Sequence, residues 1–370
     1  MDLLQQARAE IDDIDAQLAA LFERRMHAVE KVARYKAETG KAVYDPAREQ
    51  ALLQAGAARV QEEALRPYYT AFLREAMAIS RAYQHAILGQ NAAAYQGVQG
   101  AWSHIALRSL FPFAKAKNCA TWQEVFEAVE QGNAKFGVLP FENSNAGDVS
   151  TVLDLLYAHP ELVVSQMCDL PIRQDLLALP GAKLEDIRTV VSHQQALAQS
   201  SVFLRTHGAA TRVWGNTADA ARYVAEQGDK TLAAIASAET ARLYGLQILA
   251  AGVNEDGDNT TRFIVIERGE PAAVYEGARM ALLFTVDHKP GKLAQVIQLI
   301  GEQGFNMECI KSRPLPHVPF EYYFYVQLVC PPQADRSAAL LQILQGVCRT
   351  VRVLGVFDLC GIQQEGEPRV

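Results

Sequence analysis

Cations stand where a helix would otherwise present apolar residues. Between Met1 and Thr39 apolar residues recur at helical spacing, at Leu4, Ala7, Ile11, Ile14, Leu18, Leu21, Val29 and Val32. At about 100° per residue Leu4, Ile11, Leu18 and Val29 fall within about 40° of one another, and Arg25 and Lys36 share that face. Long cationic side chains can snorkel from such positions or pair with Glu. Two on one stripe, with Arg8 upstream and Asp45, Arg48 and Glu49 opening the next helical stretch, fit a ligand better. A buried guanidinium or ammonium is costly without an anion, so several converging ones predict a small polyanion held inside a helix bundle.

A second set of polar residues follows short apolar runs. Glu142, Asn143 and Ser144 come after Phe136–Leu139, and Ser192 and His193 come after Thr189–Val191. Ser192 is suited to cap a helix that carries Gln199, and His193 is either a base or a residue shaping that helix entrance. Thr261 and Arg262 open the run that ends at Ile266, and Gly97 and Gly100 bracket a loop before Trp102. In sheets with helical crossovers, ligands bind beyond the carboxyl ends of strands, where these residues stand.

Three stretches with different patterns must position them. Residues 1–90 are helical: Met1–Thr39 contains neither Gly nor Pro, Gly40 ends the first helix, Asp45 and Pro46 start a second, and Pro67 opens a third. A helix of that first length would extend on the order of 55 Å, so its stripe needs a partner, and a homodimer follows. Residues 88–96 are polar and small and are taken as a linker. Residues 93–268 then alternate strands with helices, an α/β pattern. After a break around Gly269 and Pro271, residues 277–362 follow the order β-α-β-β-α-β, a ferredoxin-like α+β arrangement.

Composition narrows the function classes. The 370 residues are 49% hydrophobic and 21% charged, a globular balance in which two or three domains are expected. A formal charge of −7 argues against nucleic acid or an anionic membrane as the main partner. No apolar run approaches the roughly 20 residues that cross a bilayer and no secretory leader opens the chain, so a cytoplasmic location is expected. The six cysteines, without CxxC pairs or nearby His ligands, are expected to be reduced and structural, with no metal site.

In their order Arg8, Arg25, Lys36, Asp45, Arg48, Glu49, Ser80 and Gln84 resemble the all-helical chorismate mutases. That resemblance implies that Arg8 crosses into the site of a partner subunit. Arg8, Arg25 and Arg48 would hold the substrate carboxylates, Lys36 and Gln84 the ether oxygen, and Glu49 with Asp45 the hydroxyl. The Gly97 loop, Glu142-Asn143-Ser144, Ser192, Gln199 and Thr261-Arg262 together resemble prephenate dehydratase, implying two α/β lobes like a periplasmic binding protein. Thr261 would then act at the departing hydroxyl, Arg262 would anchor a carboxylate, and the other residues would complete the shell. His288–Leu293 and Gly304–Asn306 resemble an ACT domain, a module that binds amino acids. It implies phenylalanine feedback through Gly291, Lys292, Leu293, Asn306, Ser312, Arg313 and Pro314. Where that family usually has Ala and Glu, this chain has Lys292 and Lys311. The whole resembles the bifunctional chorismate mutase/prephenate dehydratases, cofactor-free homo-oligomers, dimeric or tetrameric. Two alternatives stay open: a dehydratase whose helices serve only dimerisation, and a noncatalytic metabolite sensor.

Overall fold

A computed structural model describes residues 2–41, 43–255, 257–274, 278–331 and 335–362. The chain forms two compact units, Met1–Ala92 with Phe113–Lys115, and Ala93–Pro112 with Ala116–Val370. Residue 277, the expected start of the last segment, lies outside the described residues.

The first unit contains α1 (Leu3–Thr39), α2 (Pro46–Arg59) and α3 (Arg66–Ile87). Asp2 caps α1 by accepting from the Gln5 amide, and Gly40 ends it in the left-handed conformation at φ 68°, which glycine adopts without steric cost. Asp45 caps α2, with Pro46 at its first position, as the sequence predicts. Helix α3 packs against both others and buries Met77, Ser80 and Gln84. Leu4, Ile11, Ile14, Leu18 and Leu21 on α1 remain exposed, leaving its amino-terminal seam uncovered within this chain.

The second unit holds three sheets. Its first part runs β1 (Ala92–Gln96), α4 (Trp102–Leu110), β2 (Lys115–Cys119), α5 (Trp122–Glu130), β3 (Phe136–Asn143), β4 (Gly147–Asp148), α6 (Ser150–Ala158) and β5 (Leu162–Pro171). A second lobe follows with β6 (Asp175–Ala178), β7 (Thr189–His193), α7 (Gln194–Gln199), α8 (Ser201–His207), β8 (Ala210–Trp214), α9 (Thr217–Gln227), β9 (Leu232–Ala236), α10 (Ala238–Tyr244) and β10 (Gln247–Ala250). The chain returns to the first sheet as β11 (Thr260–Arg268). The remainder is β12 (Arg279–Thr285), α11 (Lys292–Glu302), β13 (Asn306–Pro314), β14 (Tyr322–Val329), α12 (Asp335–Val347), β15 (Thr350–Phe357) and β16 (Leu359–Gly361).

The first sheet has the order β16-β5-β11-β3-β1-β2, with β4 paired to β3, and the second has the order β10-β6-β9-β7-β8. Two connections, β5 to β6 and β10 to β11, join the two lobes. The stretch expected to be a linker is in part a strand: β1 runs parallel to β3 and buries Ala93, Ala94 and Tyr95.

The third sheet has the order β13-β14-β12-β15 and is antiparallel throughout. One face packs against α11 and α12 through Met280, Leu282, Phe284, Val296, Ile300, Leu340 and Leu344. The opposite face meets the first lobe. There Gly355 of β15 lies so close to β5 that a Cβ would stand 1.9 Å from the Val164 carbonyl oxygen. A register shift in β13 between Met307 and Cys309 leaves Met307 against the helices while Cys309, Lys311 and Arg313 stand opposite Gln327, Tyr325 and Tyr323.

Strand β16, within the segment expected to end at residue 362, adds to the first sheet, and here the cysteine expectation fails. Cys360 is the register partner of Cys168 on parallel β5, their Cα atoms are 4.6 Å apart, and the two form a disulfide. Cys119, Cys309, Cys330 and Cys348 are thiols. No helix among the described residues is long and apolar enough to cross a membrane.

Candidate functional site

In the helical unit α1 and α3 bring Arg25, Ser80 and Gln84 together. Arg25 and Lys36 lie half-buried on the inner face of α1. Arg25 donates to the Ser80 hydroxyl and, at 3.1 Å, to the Ala76 carbonyl, while Ser80 itself donates to that carbonyl at 2.6 Å. Ser80 and Gln84 are each only 6% exposed. Gln84 donates weakly to the Ser80 carbonyl at 3.3 Å, and its side-chain oxygen is buried without a protein partner. An unmet polar atom in such a place costs about 1–3 kcal/mol unless a ligand or water satisfies it.

Lys36 donates to the Val43 carbonyl at 2.7 Å, fastening the α1–α2 connection. Asp45 uses a carboxylate oxygen on the Arg48 amide at 3.0 Å, a capping role beside the one the resemblance implies. Arg48 is exposed. Glu49 is held by Arg81 at 2.5 Å, and the Arg81 guanidinium lies 5.3 Å from the centre of the Tyr44 ring. The sequence reading missed Arg81; a charge between buried Ser80 and Gln84 was the available signal. Arg8 is exposed and stands roughly 25 Å along α1 from Arg25, beyond reach of the site in its own chain.

The second cluster forms where β11 begins, at the return from the second lobe. Thr261 and Arg262 are the register partners of Asn143 and Glu142 on β3 and of Leu170 and Asp169 on β5. Asn143 is its hub. Its side-chain nitrogen donates to Thr261 Oγ1 at 2.9 Å, to Asn259 Oδ1 at 2.8 Å and to the Thr260 carbonyl at 3.2 Å. Its oxygen accepts from the Asn145 and Ala146 amides at 3.1 and 2.9 Å, forming the β3–β4 turn. Ser144 accepts from the Thr260 amide at 3.0 Å. Asn259, buried, donates to Gln199 Oε1 at 3.3 Å, which carries the cluster to α7 of the second lobe. The Gly97 loop makes another link between lobes, because Tyr244 donates to the Gln99 carbonyl at 2.9 Å and Thr240 to that of Gly100 at 3.0 Å.

Two residues of the predicted set are committed elsewhere. Ser192 is fully buried and donates to the Ile235 carbonyl at 2.6 Å, tying β7 to β9, and His193 rather than Ser192 caps α7. Arg262 meets protein carboxylates: Asp169 fills its fork at 2.7 and 2.9 Å, and Glu142 lies 3.7 Å away. Hydrogen bonding to Asp169 holds the guanidinium pKa above its ordinary value despite burial. Asp169, missed in the sequence, is the one charged residue of β5, whose other residues are apolar but for Ser165 and Gln166. Lys311, reaching from β13, lies 3.2 Å from Glu142 and 2.5 Å from Asp148.

Of the predicted effector residues, Gly291 caps α11 at φ 81° and Leu293 lines a cavity of about 360 Å³ with Val286, Pro290, Tyr322 and Phe324. Lys292 donates to Gln295 at 3.3 Å, and Asn306, Ser312 and Pro314 are exposed outside that lining. Arg313 does not serve the cavity. Its guanidinium grips Asp154 on α6 at 2.5 and 2.9 Å, because the β13 register turns it toward the first lobe. No group of three or more His, Cys, Asp or Glu among the described residues has a metal-holding arrangement.

Comparison with known proteins matches residues 93–271 to the prephenate dehydratase family and residues 7–85 to type II chorismate mutase. Arogenate dehydratase 2 of Petunia hybrida is 35% identical over 71% of each chain. The bifunctional chorismate mutase/prephenate dehydratase of Buchnera aphidicola is 26% identical over 95% of each. Among solved structures, a quorum-quenching acylase is 32% identical, with a TM-score of 0.67 over 72% of this chain and 98% of its own. The prephenate dehydratase of Arthrobacter aurescens in complex with L-Phe is 26% identical, with a TM-score of 0.66 over 75% of this chain and 92% of its own. The chain thus belongs to the prephenate dehydratase family and carries a type II chorismate mutase segment ahead of the dehydratase segment.

Proposed function

We propose that this chain converts chorismate to prephenate in its helical unit and prephenate to phenylpyruvate in its two-lobed unit. The observation that carries the second reaction is the bond from Asn143 to Thr261. That bond occupies a lone pair of the Thr261 oxygen and leaves its hydrogen available to the departing hydroxyl. Loss of water and carbon dioxide then yields an aromatic ring, which drives the reaction. Gln199, whose oxygen is taken by Asn259, keeps its N–H donors for substrate oxygens, and Ser144 and Glu142 complete the shell. Arg262 acts by holding Glu142 and Asp169 in place rather than as a free carboxylate anchor.

The first reaction rearranges a dicarboxylate, breaks a carbon–oxygen bond and requires no nucleophile. Positioned donors suffice to select the compact conformer and to stabilise charge on the ether oxygen. Arg25 and Arg48 meet carboxylates, Lys36 and the carboxamide of Gln84 the ether oxygen, and Glu49 with Asp45 the hydroxyl. Arg8 joins from a second copy, whose α1 would also cover the exposed seam of Leu4, Ile11, Ile14 and Leu18.

Residues 1–90, 93–268 and 277–362 are the proposed mutase, dehydratase and ACT-like segments, and the cytoplasm is their proposed location. Phenylalanine is the proposed effector, and the cavity beside Leu293 is the support for its site. The test supplies chorismate and follows prephenate and phenylpyruvate with and without phenylalanine. Lys36→Ala is expected to lose chorismate turnover while still consuming added prephenate. A parental protein inert toward both substrates refutes the proposal, and a dehydratase rate indifferent to phenylalanine refutes the regulatory part.

A further inference from the structure

The turn that holds Asn143 contains an electrostatic conflict. Glu142 on β3 and Asp148 on β4 are direct cross-strand partners, and like charges so placed push a hairpin open. Lys311 resolves it from another sheet. Its side chain is 8% exposed and its ammonium lies 2.5 Å from Asp148, 3.2 Å from Glu142 and 4.8 Å from the centre of the Phe141 ring. Arg262, the other cation near Glu142, is 3.7 Å away with its fork filled by Asp169. The register shift between Met307 and Cys309 is what turns Lys311 to this face.

We propose that Lys311 is a positioning residue of the dehydratase centre. By bridging Glu142 and Asp148 and offsetting their repulsion it keeps the β3–β4 turn closed, the turn fixes Asn143, and Asn143 orients Thr261. The inference rests on the dehydratase function proposed above. It makes the C-terminal sheet a structural part of that centre.

The experiment compares Lys311→Met, Lys311→Arg, the double variant Lys311→Met with Asp148→Asn, and Arg352→Met in the full chain. Arg352 donates to the Leu156 carbonyl across the same interface and touches none of these groups, so it reports loss of docking alone. Dehydratase kcat of Lys311→Met should fall by about tenfold to a hundredfold, with the prephenate KM moving much less and mutase turnover unchanged. Lys311→Arg and the double variant should each recover most of that loss, the second because one of the two opposed charges is gone. Amide hydrogen exchange at Asn145 and Ala146, which donate to Asn143, should accelerate in Lys311→Met and return in the double variant. Exchange there that is unchanged by Lys311→Met overturns the inference whether or not the chain turns over prephenate. An equal kcat loss in Arg352→Met, or no recovery in the double variant, also overturns it. Absence of dehydratase turnover in the parental chain counts against the function and leaves the exchange result to decide the inference.

Discussion

Replacing Thr261 with Val removes one hydroxyl and keeps the shape of the side chain. In the folded state the change breaks one partly buried hydrogen bond, from Asn143 at 2.9 Å, and Asn143 keeps its bonds to Asn259 and the Thr260 carbonyl. The stability cost is about 0.5–1.5 kcal/mol, small against a total of about 5–15 kcal/mol, so the variant folds. In the reaction the same atom is the donor proposed for the departing hydroxyl. Loss of a single donor aimed at developing charge lowers kcat by about a hundredfold to a thousandfold, or about 2.7–4 kcal/mol. The two magnitudes separate cleanly, and the chain supplies its own control, since chorismate turnover by the helical unit counts active protein in the same tube. Phenylpyruvate formation from prephenate is the readout, with Thr261→Ser as the variant that keeps the hydroxyl. If Thr261→Val retains kcat within about threefold of the parent, less than about 0.7 kcal/mol, the hydroxyl contributes nothing chemical and the assignment is wrong.

Two further outcomes follow. Alkylation of the denatured, unreduced protein should label the four thiols Cys119, Cys309, Cys330 and Cys348, with Cys168 and Cys360 reacting only after reduction; six labels without reductant refute the pairing. Burial pushes the Asp154 carboxyl pKa up, but hydrogen bonds from Arg313 and Tyr323 outweigh it, and the net value lies below the ordinary one. A depressed folded-state pKa stabilises above the unfolded-state value and loses that contribution as pH falls through the folded one. The unfolding free energy of the parent should therefore exceed that of Asp154→Asn near pH 7, by about 1 kcal/mol or less for so solvent-screened a pair, and the gap should narrow as pH falls below the ordinary aspartate range. A gap independent of pH refutes that assignment.

Where periodicity alone decides structure, the sequence was legible. The long first helix, its Gly40 stop and the Asp45-Pro46 start are where the spacing puts them, and the β-α-β-β-α-β order of the last segment is recovered element by element. Strand β1 escaped because Ala93, Ala94 and Tyr95 are buried in succession, on both faces of the sheet, so its Ala-rich run shows no alternation of apolar and polar residues. Arg262 was identified, but its protein partner was not. A cation next to Thr261 looks available to a substrate until the register on β5 places Asp169 opposite it.

Pairing, rather than residue identity, is what the sequence withheld, and pairing is what makes the dehydratase cluster. Asn143 meets Asn259 and Thr261 across 116 and 118 residues, Arg262 meets Asp169 across 93, and Lys311 meets Asp148 across 163. None of these contacts leaves a local trace, since each side chain is compatible with a turn, a cap or a solvated strand edge when viewed alone. Lys311 is the clearest case. In the sequence it was only a departure from the glutamate of the module it resembles, whereas the bulge in β13 turns it toward two acidic residues whose repulsion needs a cation. A glutamate at residue 311 would place a third carboxylate beside Glu142 and Asp148 in this turn. Lys311→Glu should therefore impair phenylpyruvate formation more than Lys311→Met, and a milder effect would show that charge at this position is not what closes the turn.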